Sequence, residues 1–211
     1  MQLTTTYPVT FTVNYPDRPL NRVTTFFRVF TVIPIAIVLG AVSGSTWESG
    51  VDDAGVVVVV VAAGGTLFFA PLLMILFRQK YPRWWFDWNL ELQRFGARVM
   101  VYLALMDDRY PSTDEHQSVR LEYPYPDARR LNRWLPLVKW LLAIPHYILL
   151  FFLGIGAFVA VIGAWFAILF TGRYPAAIFE FVEGFLRWQN RVVAYALTLA
   201  TDEYPPFRLT P

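Results

Sequence analysis

Long apolar stretches alternate with short polar segments along the chain. A bilayer core about 30 Å thick needs about 20 mainly apolar residues per helix. Four stretches approach that length, and we expect each to span a membrane: residues 23–42, 55–77, 134–153 and 154–170. The alternative is two very long buried helices in a soluble protein, and the continuous apolar run from Leu141 to Phe170 argues against it. The pattern therefore predicts an integral membrane protein.

The segments between these stretches predict how the spans are arranged. No polar linker separates the third and fourth spans, so we expect a tight turn at residues 153–156, where Gly154 and Gly156 tolerate the required backbone angles. That short hairpin would barely reach the far side of the bilayer. The loop from Ser43 to Ala54 is acidic and lacks Lys and Arg, whereas the N-terminal, middle and C-terminal segments are basic. The positive-inside rule then places both termini and the middle segment in the cytoplasm.

Several phrases of the sequence occur twice. The polar phrase at residues 15–22 returns at residues 125–133, and the next matches keep one constant offset, whereas those further downstream follow at a shorter one. The matching pairs are Arg28 and Lys139, Pro34 and Pro145, Asp87 and Glu180, Arg94 and Arg187, Arg98 and Arg191, Tyr102 and Tyr195, and residues 107–111 and 201–205. The sequence therefore predicts two repeats in one membrane domain, residues 1–111 and 112–211.

Each repeat also predicts a strand and an amphipathic helix. Alternating residues from Val9 to Asn14 and from Ser118 to Tyr123 predict two short strands, which we expect to pair as a cytoplasmic ribbon. Residues 82–106 and 175–200 follow Tyr-Pro motifs and carry aromatic residues on one side and charges on another, as expected of helices in the headgroup layer. Two spans per repeat make the repeats parallel. The predicted fold is an all-α membrane bundle of four spans, with two interfacial helices and short cytoplasmic β-strands.

Composition narrows the possible functions. Hydrophobic residues make up 56% of the chain and charged residues 16%, which is poor in charge for a soluble domain. The net charge of +2 is too small to indicate a nucleic-acid partner. Cysteine is absent, which excludes disulfides, thiolate nucleophiles and cysteine-based metal sites.

Two stretches of the second repeat resemble a known family. The stretch "VKWLLAIPHYILL" is followed by "WFAILFTGRYPAAIFEFVEGFLRWQNRVVAYALTLATDEYPPF". Together they closely resemble the bacterial membrane family called domain of unknown function 4389. The first repeat fits less well, because it lacks the histidine that follows proline. The resemblance implies a bacterial integral membrane protein without an assigned biochemical activity, located in the plasma membrane.

His146 is the most conspicuous polar residue within the predicted spans. It lies about 18 Å of helix rise into the third span, and ionisable groups at such depth are candidates for function. Its counterpart in the first repeat is Ile35. Two interpretations remain open: a neutral, hydrogen-bonded packing histidine, or a ligand or proton-handling group. The other histidine, His116, lies in a polar loop, and we expect no metal site.

Arg28 and Lys139 occupy matching positions in the two repeats. Each lies about one to two helical turns inside the cytoplasmic end of a predicted span. Their side chains can extend back to the interface. They can also contact lipid phosphates, or pair with Asp87 and Glu180, acids that would then hold the interfacial helices beneath the bundle.

Four arginines on the predicted interfacial helices form two symmetric pairs, and arginine suits bidentate contact with phosphate. They are Arg94, Arg98, Arg187 and Arg191. We expect these residues at lipid headgroups or in salt bridges. Anionic phospholipid is the expected lipid partner.

The sequence contains no recognisable catalytic, nucleotide-binding or metalloprotease motif. We therefore expect a non-enzymatic membrane protein without a cofactor, acting as an accessory subunit or an organiser of a complex at the cytoplasmic leaflet. A protein partner or a homo-oligomer is expected in the membrane. One alternative is a small oligomeric transporter or channel that uses His146, Arg28 and Lys139. The other is a lipid-modifying enzyme that uses the arginine pairs and the carboxylates of Asp87 and Glu180.

Overall fold

The computed structural model describes residues 7–43, 63–113, 115 and 117–211. Seven α-helices, one π-helical turn and two strands occur in this part of the chain. In chain order they are β1 (Thr10–Val13), α1 (Arg22–Phe26), α2 (Arg28–Ser43), α3 (Ala63–Leu73), the π-helical turn (Met74–Arg78), α4 (Arg83–Leu103), β2 (Val119–Glu122), α5 (Pro136–Leu142), α6 (Ile144–Thr171) and α7 (Ala176–Ala196). Residues 44–62, most of the predicted acidic loop and the start of the second predicted span, lie outside the described residues.

The two strands pair as an antiparallel ribbon, which confirms that part of the sequence prediction. Phe11 lies opposite Leu121, and Val13 lies opposite Val119. Phe11 and Leu121 are both buried, since the ribbon packs against α4 and α7. An isolated two-stranded ribbon is marginally stable in water, so these two helices provide the support that the ribbon needs.

The prediction of four membrane spans is wrong. Only α6 is long and apolar enough to cross a membrane among the described residues. The first predicted span is divided at Phe27, the residue that ends α1, and α2 then continues for 16 residues. In the described part of the second predicted span, α3 has 11 residues and passes into the π-helical turn. The expected cytoplasmic position of both termini rested on the four-span fold and loses its support.

The third and fourth predicted spans form one continuous helix, α6, of 28 residues. The expected turn at residues 153–156 does not form, because Gly154 and Gly156 continue the helix. A Cβ at Gly154 would lie 3.5 Å from Phe185 Cζ, and one at Gly156 would lie 3.6 Å from Phe181 Cζ. These are ordinary van der Waals distances, so both positions face α7, but the packing does not require glycine.

Helices α4 and α7 occupy most of the two predicted amphipathic segments. Each begins directly after a proline in extended conformation, Pro82 or Pro175. The buried face of α7 is wide and includes Trp188 and Tyr195. Helix α7 reverses the chain direction after Gly172 and runs antiparallel to α6, with Trp188 beside His146 and Ile178 nearest to Gly163.

Replacing Gly172 with Ala should destabilise the protein. Gly172 ends α6 with a φ of +75°, and its carbonyl oxygen accepts a hydrogen bond from the Leu20 N–H at 2.9 Å. The left-handed conformation costs about 1–2 kcal/mol for a residue with a Cβ. We expect a loss of that size in the free energy of unfolding, measured by denaturant titration in detergent micelles. Gly96→Ala is the matched control.

The control residue, Gly96, lies within α4, and a Cβ there would meet no atom within 4 Å. Alanine favours a helix over glycine by about 1 kcal/mol, so Gly96→Ala should leave stability unchanged or raise it. Equal losses in the two variants would contradict the assignment of strain to Gly172.

Candidate functional site

Lys139 lies on α5 and is completely buried. Its Nζ donates a hydrogen bond to the Thr201 carbonyl oxygen at 2.6 Å and lies 2.7 Å from Oδ1 of Asp202. The ammonium also lies 5.1 Å from the centre of the Tyr195 ring. Burial lowers the pKa of Lys139 below its ordinary value, and the Asp202 carboxylate partly offsets this shift.

Arg28 occupies the corresponding position in the first half of the chain and is 1% exposed. Its Nη1 donates hydrogen bonds to the carbonyl oxygens of Asp107, at 2.5 Å, and Tyr102, at 3.0 Å. The guanidinium carbon lies 3.9 Å from the centre of the Tyr102 ring, an arrangement that favours a cation–π interaction. Both cations are therefore held by a tyrosine ring and by the loop that follows α4 or α7.

An aspartate lies in the loop beside each cation, but only one of the two aspartates forms an ion pair with the cation itself. Asp202 pairs with Lys139, whereas the matching residue Asp108 pairs with Arg18 at 2.5 Å. Arg18 has a largely exposed side chain, and Arg28 has no ion-pair partner within the described part of the chain. The two sites thus share their framework but differ in charge compensation.

The repeated Leu-Asn-Arg phrase starts the apolar helices. Oδ1 of Asn21 accepts hydrogen bonds from the N–H groups of Val23 and Thr24, and Oδ1 of Asn132 accepts them from Trp134 and Leu135. Asn21 is the N-cap of α1, where its side chain satisfies N–H groups that the first helical turn leaves free, whereas Asn132 accepts the same two bonds in the turn that precedes α5.

Each of these asparagines also donates its backbone N–H to an acid of the loop beside it. Asn21 donates to Asp108 at 3.3 Å, and Asn132 donates to Asp202 at 2.6 Å. The phrase therefore connects each helix start to the loop that holds the cation.

The tyrosines of the Tyr-Pro motifs join the two halves of the chain. The Tyr15 hydroxyl donates to the Tyr174 carbonyl oxygen, and the Tyr125 hydroxyl donates to the Tyr81 carbonyl oxygen. Tyr15 and Tyr125 also pack edge to face against Phe179 and Phe86, with ring centres 4.9 and 5.3 Å apart.

The hydroxyls of Tyr81 and Tyr174 are buried donors. They bond to the carbonyl oxygens of Thr198, at 2.8 Å, and Ala104, at 3.2 Å. Burial raises the pKa of both hydroxyls, so they remain protonated and able to donate at neutral pH.

Arg94 and Arg187 attach the ribbon to the two long amphipathic helices. Nε of Arg94 donates to the Leu121 carbonyl oxygen, and Nε of Arg187 donates to that of Phe11, both at 2.9 Å. Arg94 also pairs with Glu91, and Arg187 pairs with Glu183. Both guanidinium groups are therefore held within the protein, by backbone carbonyl oxygens and by salt bridges.

Arg98 attaches the loop after α4 to that helix, and Arg191 attaches the C-terminal segment to α7. Arg98 Nη1 donates to the Ser112 carbonyl oxygen at 2.6 Å. Arg191 donates to the carbonyl oxygens of Arg208 and Thr210, and it is 2% exposed. Burial lowers the pKa of Arg191, and the neighbouring positive charges of Arg208 and Arg187 lower it further.

Asp87 and Glu180 do not meet the two cations. Asp87 lies 3.9 Å from Arg83 on α4, with both side chains exposed, and Glu180 is exposed on α7. The acids near the cations come instead from the loops after α4 and α7. The recurrence of Asp108 and Asp202 within matching phrases is the sequence signal that indicates these positions.

His146 is fully buried in an aromatic cluster. The Trp188 Nε1–H donates to Nδ1 of His146 at 3.0 Å, and the imidazole stacks on Phe207 with ring centres 4.0 Å apart. Because Nδ1 accepts a hydrogen bond, a neutral ring carries its proton on Nε2, which has no hydrogen-bond partner among the described residues. These contacts favour the packing interpretation. His116 lies outside the described residues.

The fold and these sites define a class: a mainly helical protein with one helix, among the described residues, long and apolar enough to cross a membrane. Residues 134–208 match the family described as Domain of unknown function (DUF4389). This segment includes Lys139, His146, Arg187 and Asp202. No curated protein and no solved structure matches the chain.

Asp202→Asn should destabilise the protein more than Asp108→Asn. Asparagine can still accept the hydrogen bond from the Asn132 N–H, but it leaves Lys139 buried without an ion partner. Breaking a pair whose cation is buried, as Lys139 is, costs about 3 kcal/mol, whereas a pair whose cation is largely exposed, as Arg18 is, contributes about 1 kcal/mol or less. Denaturant titration in micelles measures both losses.

The loss in Asp202→Asn should shrink as pH rises from neutral. Removing the carboxylate lowers the pKa of Lys139 in the folded protein further, while its pKa in the unfolded chain stays at about 10.4. Between those two values the unfolded chain binds more protons than the folded one, so the stability of the variant rises with pH. Equal losses in the two variants at every pH would contradict a special role for the Lys139 pair.

Proposed function

We propose that this protein is a non-enzymatic membrane protein, anchored in the bilayer by α6, that serves as an accessory subunit or organiser of a membrane complex. The exposure of α6 is the observation that carries the proposal. Only 11% of its most apolar 18-residue window is buried. A buried core helix of a soluble protein would be covered on most sides, whereas lipid favours such an apolar surface.

The apolar surface of α6 is continuous and large. A helix of 28 residues extends about 42 Å, which exceeds the hydrocarbon thickness of about 30 Å. Exposed contiguous apolar patches of this kind mark membrane or protein contacts. The exposed large side chains include Phe151, Phe152, Ile155, Phe158, Val159, Ile162 and Phe166. We propose the bacterial plasma membrane as the location.

We also infer that the chain contains two copies of one unit, although the family match covers only the second. The support is the correspondence of contacts at residues that match in the sequence. The two cation sites, the bonds accepted by Asn21 and Asn132, and the two crossed tyrosine bonds all match. The left-handed residues Leu105 and Leu199 match as well. Chance similarity of short phrases would not produce corresponding hydrogen bonds.

The polar groups support a structural role over catalysis or transport. Arg28 and Lys139 are each held by backbone carbonyl oxygens in separate sites, so they do not form a shared path with His146. Asp87 and Glu180, the acids considered for lipid chemistry, are exposed and lie on different helices. A partner in the membrane, protein or anionic lipid, is therefore the proposed basis of function.

The anchor can be tested with the double variant Ile155→Lys and Val159→Lys. Both residues are exposed on α6, and a lysine at the centre of a membrane helix costs about 3 kcal/mol in insertion. We expect the variant to leave the membrane fraction during flotation and carbonate extraction. The matched control, Ile155→Leu and Val159→Leu, should remain in it. Retention of the lysine variant would overturn the membrane anchor.

The accessory role predicts a protein partner at fixed stoichiometry. Native mass spectrometry of the protein, extracted gently from its own membrane, should show one such partner. The lysine double variant should no longer bind this partner, because it is no longer held in the membrane. Detection of the protein alone, at every extraction strength, would overturn the accessory role while leaving the anchor intact.

A further inference from the structure

A cavity of about 650 Å³ lies beside α6, bounded also by α1, α4 and α7. Its lining is mainly apolar and includes Ala157, Val161 and Trp165 of α6 and Phe185 of α7. Pockets for small ligands in proteins usually measure about 300–1,000 Å³ and combine an apolar lining with a few polar groups. The size and lining fit a long hydrocarbon chain.

Thr25, Arg28 and Gln189 line this cavity, and each has at least one polar atom without a hydrogen-bond partner among the described residues. These atoms are Oγ1 of Thr25, Nε and Nη2 of Arg28, and Oε1 of Gln189. Thr25 and Arg28 are 0% and 1% exposed. Buried polar atoms are nearly always hydrogen-bonded, because leaving one unpaired costs about 1–3 kcal/mol. Their concentration in one lining indicates a binding function.

The charges around Arg28 indicate an anionic ligand. The carboxylate of Asp108 is engaged by Arg18, and that of Asp107 accepts from Ser118 and pairs with Arg109. Both carboxylates lie near enough to act on Arg28 electrostatically, but among the described residues neither forms an ion pair with it like that of Lys139 with Asp202. The guanidinium has two nitrogens, Nε and Nη2, without a hydrogen-bond partner among these residues, and such a group is well suited to bind a carboxylate or phosphate.

We propose that this cavity binds a long-chain amphiphile with one anionic headgroup, whose oxygens bond to Arg28 and Thr25 while the chain lies against α6 and α7. The inference rests on the proposed function for the source of the ligand, since α6 brings the cavity to the lipid. Gln189 can turn its carboxamide to donate to the same headgroup or accept from it. The second half of the chain satisfies its cation internally and needs no such ligand.

The test uses native mass spectrometry of the full-length protein in phosphatidylcholine nanodiscs. Palmitate, palmitoyl lysophosphatidate and hexadecanol are added separately. We expect one equivalent of palmitate or of lysophosphatidate to bind, and hexadecanol to bind at least tenfold more weakly. Preference for palmitate identifies a free fatty acid as the ligand, and preference for lysophosphatidate identifies a phospholipid-type headgroup. Equal binding of hexadecanol would overturn the proposal.

Variants separate the headgroup site from the cavity. Arg28→Gln should weaken binding of the anionic amphiphile at least tenfold, and Arg28→Lys should recover part of the affinity. Val161→Trp should block binding with Arg28 intact, whereas Val159→Trp, on the exposed side of α6, should not. Thermal melts establish that each variant is folded. Unchanged affinity in both Arg28→Gln and Val161→Trp would contradict the proposed site.

Flotation of the same preparations distinguishes this inference from the membrane anchor. A protein that floats with membranes but binds no amphiphile refutes only the cavity site. A protein that binds palmitate but does not float refutes the anchor and leaves the site in place.

Discussion

The burial of two cations is the constraint on which much of the structure depends. Moving a charged group out of water is unfavourable unless hydrogen bonds or opposite charges replace its hydration. At Arg28 and Lys139 the replacement comes from backbone carbonyl oxygens in the loops after α4 and α7 and from a tyrosine ring. Those loops must therefore stay beside the helix starts. The bonds from the backbone N–H groups of Asn21 and Asn132 to Asp108 and Asp202 hold them there.

The remaining arginines of α4 and α7 extend the same principle. Each uses backbone carbonyl oxygens as acceptors, and through them it fastens a segment without helical structure, such as the ribbon at Leu121 and Phe11. Ribbon, loops and C-terminal segment thus depend on side chains from two helices. These charges connect the polar parts of the protein.

The unequal compensation of the two cations connects structure with function. Lys139 has Asp202, so its site is complete within the chain, whereas Arg28 shares its surroundings with an apolar cavity and has no carboxylate of its own. Helix α6, which belongs to the second half of the chain, lines the same cavity and carries an exposed apolar surface. A buried charge, an apolar space and an exposed apolar helix lie together, which is the combination that an amphiphile requires.

The sequence by itself determined an apolar composition, the two matching series of residues, the ribbon strands and the helices after each Tyr-Pro motif, because these depend on local periodicity and turn residues. It could not determine whether Gly154 and Gly156 turn the chain or continue a helix, since glycine permits both. The tertiary structure decided this, because both glycines lie within α6 and face Phe185 and Phe181 of α7 at van der Waals distance. It also decided that Asp202 meets Lys139 while Asp108 turns to Arg18, because the choice between nearby charges depends on distances that matching sequence phrases do not encode.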